Sequence, residues 1–198
     1  MLVVLDINKN NINNKNMNDT VLLMKKMSRA MNSYVLTLYE IILESNPEFV
    51  LEIGTGQCQS TRTILSALAE NKKGKLVSVD LGDRAERISK ELLEYFIQVI
   101  GDSHEKSVFD KVKEKNVQVY DILFIDGDHS YKGVKQDFEM YSPLVKEGGL
   151  ILMHDVCNKN CGVPKFWEEI KYPKIRFEYG KAASDVIPGF GIIQKISK

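Results

Sequence analysis

Three short stretches of this chain hold the side chains and the bare backbone that chemistry needs. The first is Glu52-Ile-Gly54-Thr55-Gly56, an acid and two glycines closing an apolar run. Glycine lets a loop turn sharply and lets a ligand lie against backbone, which is how a parallel strand meets a ligand at the mouth of an α/β sheet. The second comprises Asp80 and the pair Asp102-Ser103, polar groups ending the next two apolar runs. The third is Asp126-Gly-Asp128-His129 with His154-Asp155 further along. Carboxylates and imidazoles at one locus exchange protons near neutral pH or hold a divalent cation.

The glycine loop narrows the ligand. A phosphate-cradling loop needs Lys and Ser or Thr after its last glycine, and here Gln57-Cys58-Gln59 follow Gly56. A dinucleotide fingerprint needs a third glycine for close helix packing, and that position is Gln59. Glu52 also places a carboxylate where a pyrophosphate would approach. Asp80 is suited to both hydroxyls of a ribose, and Asp102 with Ser103 to an adenine amino group. Three acids with no basic residue among them suit a nucleoside with a positive centre, and S-adenosylmethionine is such a ligand. The bland reading of Glu52 is a solvated acid at a strand end.

These residues need a scaffold that brings strand ends together. After Pro47 the sequence alternates strand and helix: strands over 49–53, 75–79, 96–100, 121–125 and 150–153, and helices over 61–70, 84–94, 107–115, 131–141 and 164–170. Two final strands follow, 175–179 and 191–196, joined by a loop alone. Such alternation gives right-handed crossovers and a mainly parallel sheet with helices on both faces; the last two strands form an antiparallel edge. The expected fold is α/β, a doubly wound seven-stranded sheet with an antiparallel C-terminal edge, preceded by N-terminal helices. Residues 1–18, rich in Asn and Lys, read as a flexible lead-in; residues 19–198 read as one domain, with N-terminal helices over 19–46 and the sheet core over 47–198. Leu23, Met27, Met31, Val35, Leu38 and Ile42 recur at helical spacing and mark packing.

Composition excludes several classes. The 198 residues suffice for one domain with a proper core. Lys plus Arg equals Asp plus Glu at 27 each, so no global field draws nucleic acid or an anionic membrane. No apolar run approaches membrane-spanning length. Three cysteines argue against a disulfide framework and for a reducing, cytoplasmic setting.

Leu51-Glu52-Ile-Gly54-Thr-Gly56, Ser78-Val-Asp80 and Ile100-Gly-Asp102-Ser103, in that order on successive strands, resemble the cofactor motifs of class I S-adenosylmethionine-dependent methyltransferases. The resemblance implies that Glu52, Gly54, Thr55, Gly56, Ser60, Asp80, Leu81, Asp102, Ser103 and Asp126 line the methyl donor. The run Asp126-Gly-Asp128-His129-Ser-Tyr131, with Gly-Gly-Leu-Ile-Leu-Met-His154-Asp155-Val, resembles the metal-dependent O-methyltransferases, and within them the branch of cephalosporin hydroxylase-like proteins and antibiotic-sugar O-methyltransferases. It implies Asp126, His154 and Asp155 as ligands of a divalent cation, with His129 and Asp126 as catalytic residues; oxygen ligands favour Mg²⁺ foremost, or Ca²⁺, while a histidine leaves Mn²⁺ or Fe²⁺ open. Catechol-type enzymes carry Asp-Asn where this chain has His154-Asp155.

The activity expected is methyl transfer to a hydroxyl of a small molecule, a sugar or a phenol. Such a hydroxyl attacks a sulfonium methyl only once its proton leaves or a metal lowers its pKa. His129, with an ordinary pKa near 6.5, suits the base. The alternative for this loop is that Asp128 caps the following helix while His129 and Tyr131 shape the turn. His154-x-x-Cys157-x-x-x-Cys161 invites a zinc reading, but structural zinc wants four ligands in paired spacing; the thiols read as incidental. Phe166 and Trp167 read as core. Two functional alternatives stand beside transfer: a donor-binding sensor or scaffold without turnover, and a nicotinamide oxidoreductase, which Gln59 argues against. The N-terminal helices and residues 181–189 are the expected acceptor grip, and the apolar helices leave a homo-oligomer open.

Overall fold

The computed structural model describes residues 32–115, 119–178 and 187–196. Helix α1 (Asn32–Ser45) precedes β1 (Phe49–Ile53), α2 (Gln59–Asn71), β2 (Lys75–Asp80) and β3 (Phe96–Ile100). Then come α3 (Lys106–Lys113), β4 (Tyr120–Ile125), α4 (Tyr131–Tyr141), β5 (Val145–His154), α5 (Val163–Glu169), β6 (Lys174–Phe177) and β7 (Phe190–Gln194). The seven strands lie in the order β3-β2-β1-β4-β5-β7-β6. Strands β1 to β5 pair in parallel, while β7 pairs antiparallel with both β5 and β6. The expected doubly wound sheet is present. Its reversed strand is internal, however: β7 is inserted between β5 and the true edge, β6.

Side chains alternate across a strand, and that alternation builds two cores. Leu51, Val77, Leu123 and Ile151 pack beneath α3, α4 and α5 with Val108, Val134, Phe138 and Trp167. Val50, Leu76, Ile122 and Leu152 face α1 and α2 with Leu38, Ile42, Ile64 and Leu68. Phe166 and Trp167 are core, as their sequence suggests. Glu52 shares the parity of Val50, Ser78 that of Leu76, Asp126 that of Phe124, and His154 that of Leu152. The site residues therefore emerge on the α1/α2 face.

One expected helix is replaced. Residues 84–94 form two 3-10 turns, Ala85–Arg87 and Lys90–Tyr95, with Ile88 extended between them. Only Ile88 and Leu92 of this segment reach the core, too few apolar positions to bind a continuous α-helical stripe. Helix α2 begins at Gln59, two positions before the expected start, after Cys58 in a left-handed conformation. The expected helix at 19–31 and the loop residues 181–186 lie outside the described residues. Among the described residues no helix is long and apolar enough to cross a membrane.

Candidate active site

Strand register aligns the loop residues. Ile53 pairs with Ile125 and Ile125 with Met153, so Gly54, Asp126 and His154 leave the sheet side by side. The Asp126 amide donates to the Ile53 carbonyl at 2.9 Å. Gly54 has φ +94, and a Cβ there would collide with the Asp126 carbonyl, so only glycine permits the two loops to approach this closely.

Glu52 is fully buried and serves as a hub. Its carboxylate accepts hydrogen bonds from Ser60 Oγ (2.6 Å), Thr61 Oγ1 (2.8 Å) and Ser78 Oγ (2.6 Å). Burial pushes its pKa up to about 7 against these three donors. The bland alternative, a solvated acid at the strand end, is overturned: the carboxylate is buried and Ser60 is directed at it. The residues that sequence reasoning missed here are Ser78 and Thr61. Period-2 alternation along β2 was the signal for Ser78, since it shares the Asp80 face.

Asp80 is engaged as well. One oxygen accepts from the backbone N–H groups of Thr55 (3.1 Å) and Gly56 (2.9 Å); the other accepts from Gly82 N (3.0 Å) and Arg84 Nε (3.2 Å). Arg84 Nη2 completes an ion pair at 3.1 Å. Burial would raise this carboxyl, but the backbone donors and the guanidinium outweigh it and hold it below the usual range. The expectation of acids without a basic neighbour is corrected: Arg84, four residues on, supplies one. Leu81 stands 76% exposed beside Asp80, and Ile100, paired with Asp80 across the strands, is exposed too. Asp102 is half-exposed, with Oδ1 accepting from the His104 amide at 2.9 Å. Ser103 turns inward and donates to Asp137 at 2.7 Å.

On the other half of the sheet four side chains meet. Asp126 Oδ1 lies 3.0 Å from His129 Nε2 and 3.1 Å from His154 Nδ1. Asp155 Oδ2 lies 3.3 Å from His129 Nδ1 and 3.5 Å from His154 Nδ1. Burial favours a neutral Asp126, yet the two imidazoles outweigh it and hold its pKa below the usual range. Burial also opposes charge on His154, but the two carboxylates push its pKa up to about 10. The Asp126 hydrogen bond raises His129 as well, so the expected value near 6.5 is corrected upward. Asp155 sits at φ +60, a left-handed conformation that aspartate tolerates better than most residues. His129 is the exposed member, at 44%.

Ser130, not Asp128, caps α4: its hydroxyl accepts from Gly133 N at 3.0 Å, while Asp128 accepts from Ser130 N at 2.7 Å. Among the described residues the one cation-competent group of His, Cys, Asp and Glu is Asp126, His154 and Asp155, whose ligand atoms lie within 4.8 Å of one another. Cys157 and Cys161 are free thiols outside it. Tyr34, from α1, covers His154 with ring centroids 4.5 Å apart; no motif marks it.

A parallel sheet ordered 3-2-1-4-5-7-6, with one reversed strand and a glycine loop after β1, defines the class I, S-adenosylmethionine-dependent methyltransferase fold. Residues 51–156 match the family described as a methyltransferase domain, and the chain belongs to it. The chain is 32% identical over 115 residues to an uncharacterized protein of Acanthamoeba polyphaga mimivirus, covering 53% of this chain and 50% of that one. It thus spans about half the length of this curated relative. Its fold matches an O-methyltransferase from Bacillus cereus in complex with SAH (TM-score 0.66, 18% identity, 90% of this chain and 92% of that chain). It also matches the O-methyltransferase TomG from Streptomyces achromogenes, involved in tomaymycin synthesis, in complex with SAM (TM-score 0.69, 15% identity, 91% of each).

Proposed function

We propose that this methyltransferase moves the methyl group of S-adenosylmethionine to a hydroxyl oxygen of a small molecule, with His129 as base and a divalent cation held by Asp126, His154 and Asp155. The observation that carries the reading is the cluster itself: two carboxylates and two imidazoles, one of them exposed, beside the glycine loop. The solved structures of similar fold with O-methyltransferase descriptions support the acceptor class.

The donor side fits the nucleoside. Leu81 and Ile100 are apolar and exposed at the sheet edge, a surface for the faces of an adenine ring. Asp102 keeps one carboxylate oxygen for a polar edge. Ribose hydroxyls at Asp80 would compete with Arg84 rather than with the loop amides, since the amides hold the opposite oxygen. Gly54, Thr55 and Gly56 bring bare backbone to the amino-acid end, and Glu52 fixes them from below through Ser60 and Ser78.

The donor atoms of the other side fit a divalent cation, with two hard carboxylate oxygens and one imidazole nitrogen. A cation bound there would lower the pKa of an acceptor hydroxyl. His129, hydrogen-bonded to Asp126 and open to solvent, takes the proton; Asp126 and Asp155 stabilise the imidazolium that forms.

Calorimetry with S-adenosylhomocysteine and, separately, with Mg²⁺ and Mn²⁺ tests both halves. The expected result is donor-product binding in the micromolar range, about −8 kcal/mol, and cation binding that Asp126→Ala abolishes. Cation affinity unchanged in Asp126→Ala refutes the ligand assignment. A panel of sugar and phenol acceptors, read by methyl transfer, tests the chemistry; donor binding with no transfer to any of them, with or without cation, leaves the sensor reading in its place.

A further inference from the structure

Asp137 lies on the inner side of α4 with no exposed surface. Its Oδ1 accepts a hydrogen bond from Ser103 Oγ at 2.7 Å and lies 3.2 Å from His104 Nε2. Its Oδ2 has no partner and packs against the loop after β4, where a Cβ on Gly127 would stand only 3.1 Å away. One carboxylate therefore touches both the loop that carries Asp102 and the loop that carries Asp126 and His129. Two further bonds stitch α4 to the first of these loops: the Tyr141 hydroxyl donates to the Ser103 carbonyl at 2.7 Å, and Gln136 Nε2 to the His104 carbonyl at 3.3 Å. The His104 amide in turn holds the Asp102 side chain.

An ionisable group without solvent is costly, and an apolar side chain of similar volume would fill the same space without that cost. What the carboxylate adds is direction. It gives the Ser103 hydroxyl a fixed acceptor on α4, with the His104 ring beside it and hydrogen-bonded to the Gly133 carbonyl of the same helix, and α4 begins where the strand-four loop ends.

We propose that Asp137 is a positioning residue that sets the spacing between the two ligand loops, fixing Asp102 relative to Asp126 and His129. The proposal rests on the assignment of Asp102 to the methyl donor and of His129 to the acceptor. It makes α4 the ruler of the site: the distance between nucleoside and base is fixed by where Ser103 and Gly127 meet one carboxylate.

The test uses the full chain, with amide hydrogen exchange over residues 102–105 in the free protein and calorimetry with S-adenosylhomocysteine. Asp137→Leu removes the acceptor but keeps the bulk. It is expected to speed exchange in that loop and to weaken S-adenosylhomocysteine about tenfold, the scale of one lost hydrogen bond to a charged group. Asp137→Asn keeps an acceptor oxygen and is expected to restore both readouts to within about threefold. A folded Asp137→Leu with wild-type exchange, or with faster exchange but wild-type affinity, overturns the proposal, as does a failure of Asp137→Asn to restore either. If Asp137→Leu does not fold, Ser103→Ala removes the same bond from the other side, and unchanged exchange there overturns it equally. No binding of S-adenosylhomocysteine by the wild-type chain refutes the donor assignment and the proposal with it, while the exchange experiment still reads the link from Asp137 to its loop.

Discussion

The two halves of the strand-end surface hold their carboxylates by opposite means. At the ends of β1 and β2, Glu52 and Asp80 are satisfied by hydroxyls, backbone amides and one guanidinium. None of those donors changes protonation near neutral pH. At the ends of β4 and β5, Asp126 and Asp155 are satisfied chiefly by two imidazoles, groups that carry positive charge only while they hold a proton. The first half is wired by the fold and presents a fixed shape. The second is balanced by charge, and the positive charge that balances it can be a proton or a cation. Under the proposed function the fixed half is the one that binds the donor, and the charge-balanced half is the one that takes the acceptor's proton.

Substitutions sharpen that contrast. The largest effect is expected at Asp126, which both imidazoles share: Asp126→Ala should lower methyl transfer by about 10³-fold, the combined scale of base and cation contributions, while S-adenosylhomocysteine affinity changes far less. Parallel losses in both would merge the two halves into one. Next comes Glu52. Its folded pKa of about 7 lies above the ordinary 4.5, so the folded state holds a proton that the unfolded chain releases. The stability this confers is complete below pH 4.5 and is lost as pH rises towards 7. Glu52→Gln lacks that dependence. Relative to wild type it should therefore gain on the order of 3 kcal/mol between the two pH values, read from denaturant melts at pH 4.5 and pH 8. Melting curves that stay parallel across this range would contradict the buried, proton-holding hub.

Asp80→Ala follows: loss of a charged hydrogen-bond acceptor should weaken S-adenosylhomocysteine by roughly 10- to 100-fold, with cation affinity intact. Unchanged donor affinity would remove Asp80 from the nucleoside side. Arg84→Ala is expected to have the smallest effect, within about threefold either way, because a partly exposed ion pair contributes little. A strong loss of affinity would instead make Arg84 a ligand contact.

Fold and site were not equally legible in the sequence. The alternation of apolar runs and helical stretches located β1 to β5 along the chain, because period and turn signals are local, although β5 starts at Val145 rather than at 150. The insertion of β7 between β5 and β6 was not legible, since pairing across a sheet is a long-range choice. The glycine loop and the Asp126, His154, Asp155 set could be located from strand ends alone, whereas His129 came from family resemblance. What those carboxylates touch could not: Glu52 was legible as an acid beside the glycine loop, but its burial depends on α2 closing over it. Arg84, four residues after Asp80, went unread because it opened a segment expected to be helical rather than a turn folding back on Asp80. Asp137 had no motif at all; only the packing of α4 against two loops gives it a role.

The internal place of β7 has a consequence for the order in which this protein matures. His154 is paired with Phe190 across β5 and β7, and Tyr34 stacks on Phe190 with ring centroids 5.5 Å apart while covering His154. The aromatic wall around this imidazole is thus built from residues near both ends of the described chain. A ribosome that has released β1 to β5 has exported every proposed ligand of the methyl donor, yet the acceptor side still lacks Phe190. Under the proposed division of the site, the donor side is complete in the chain before the aromatic wall beside His154, which waits for the last strand.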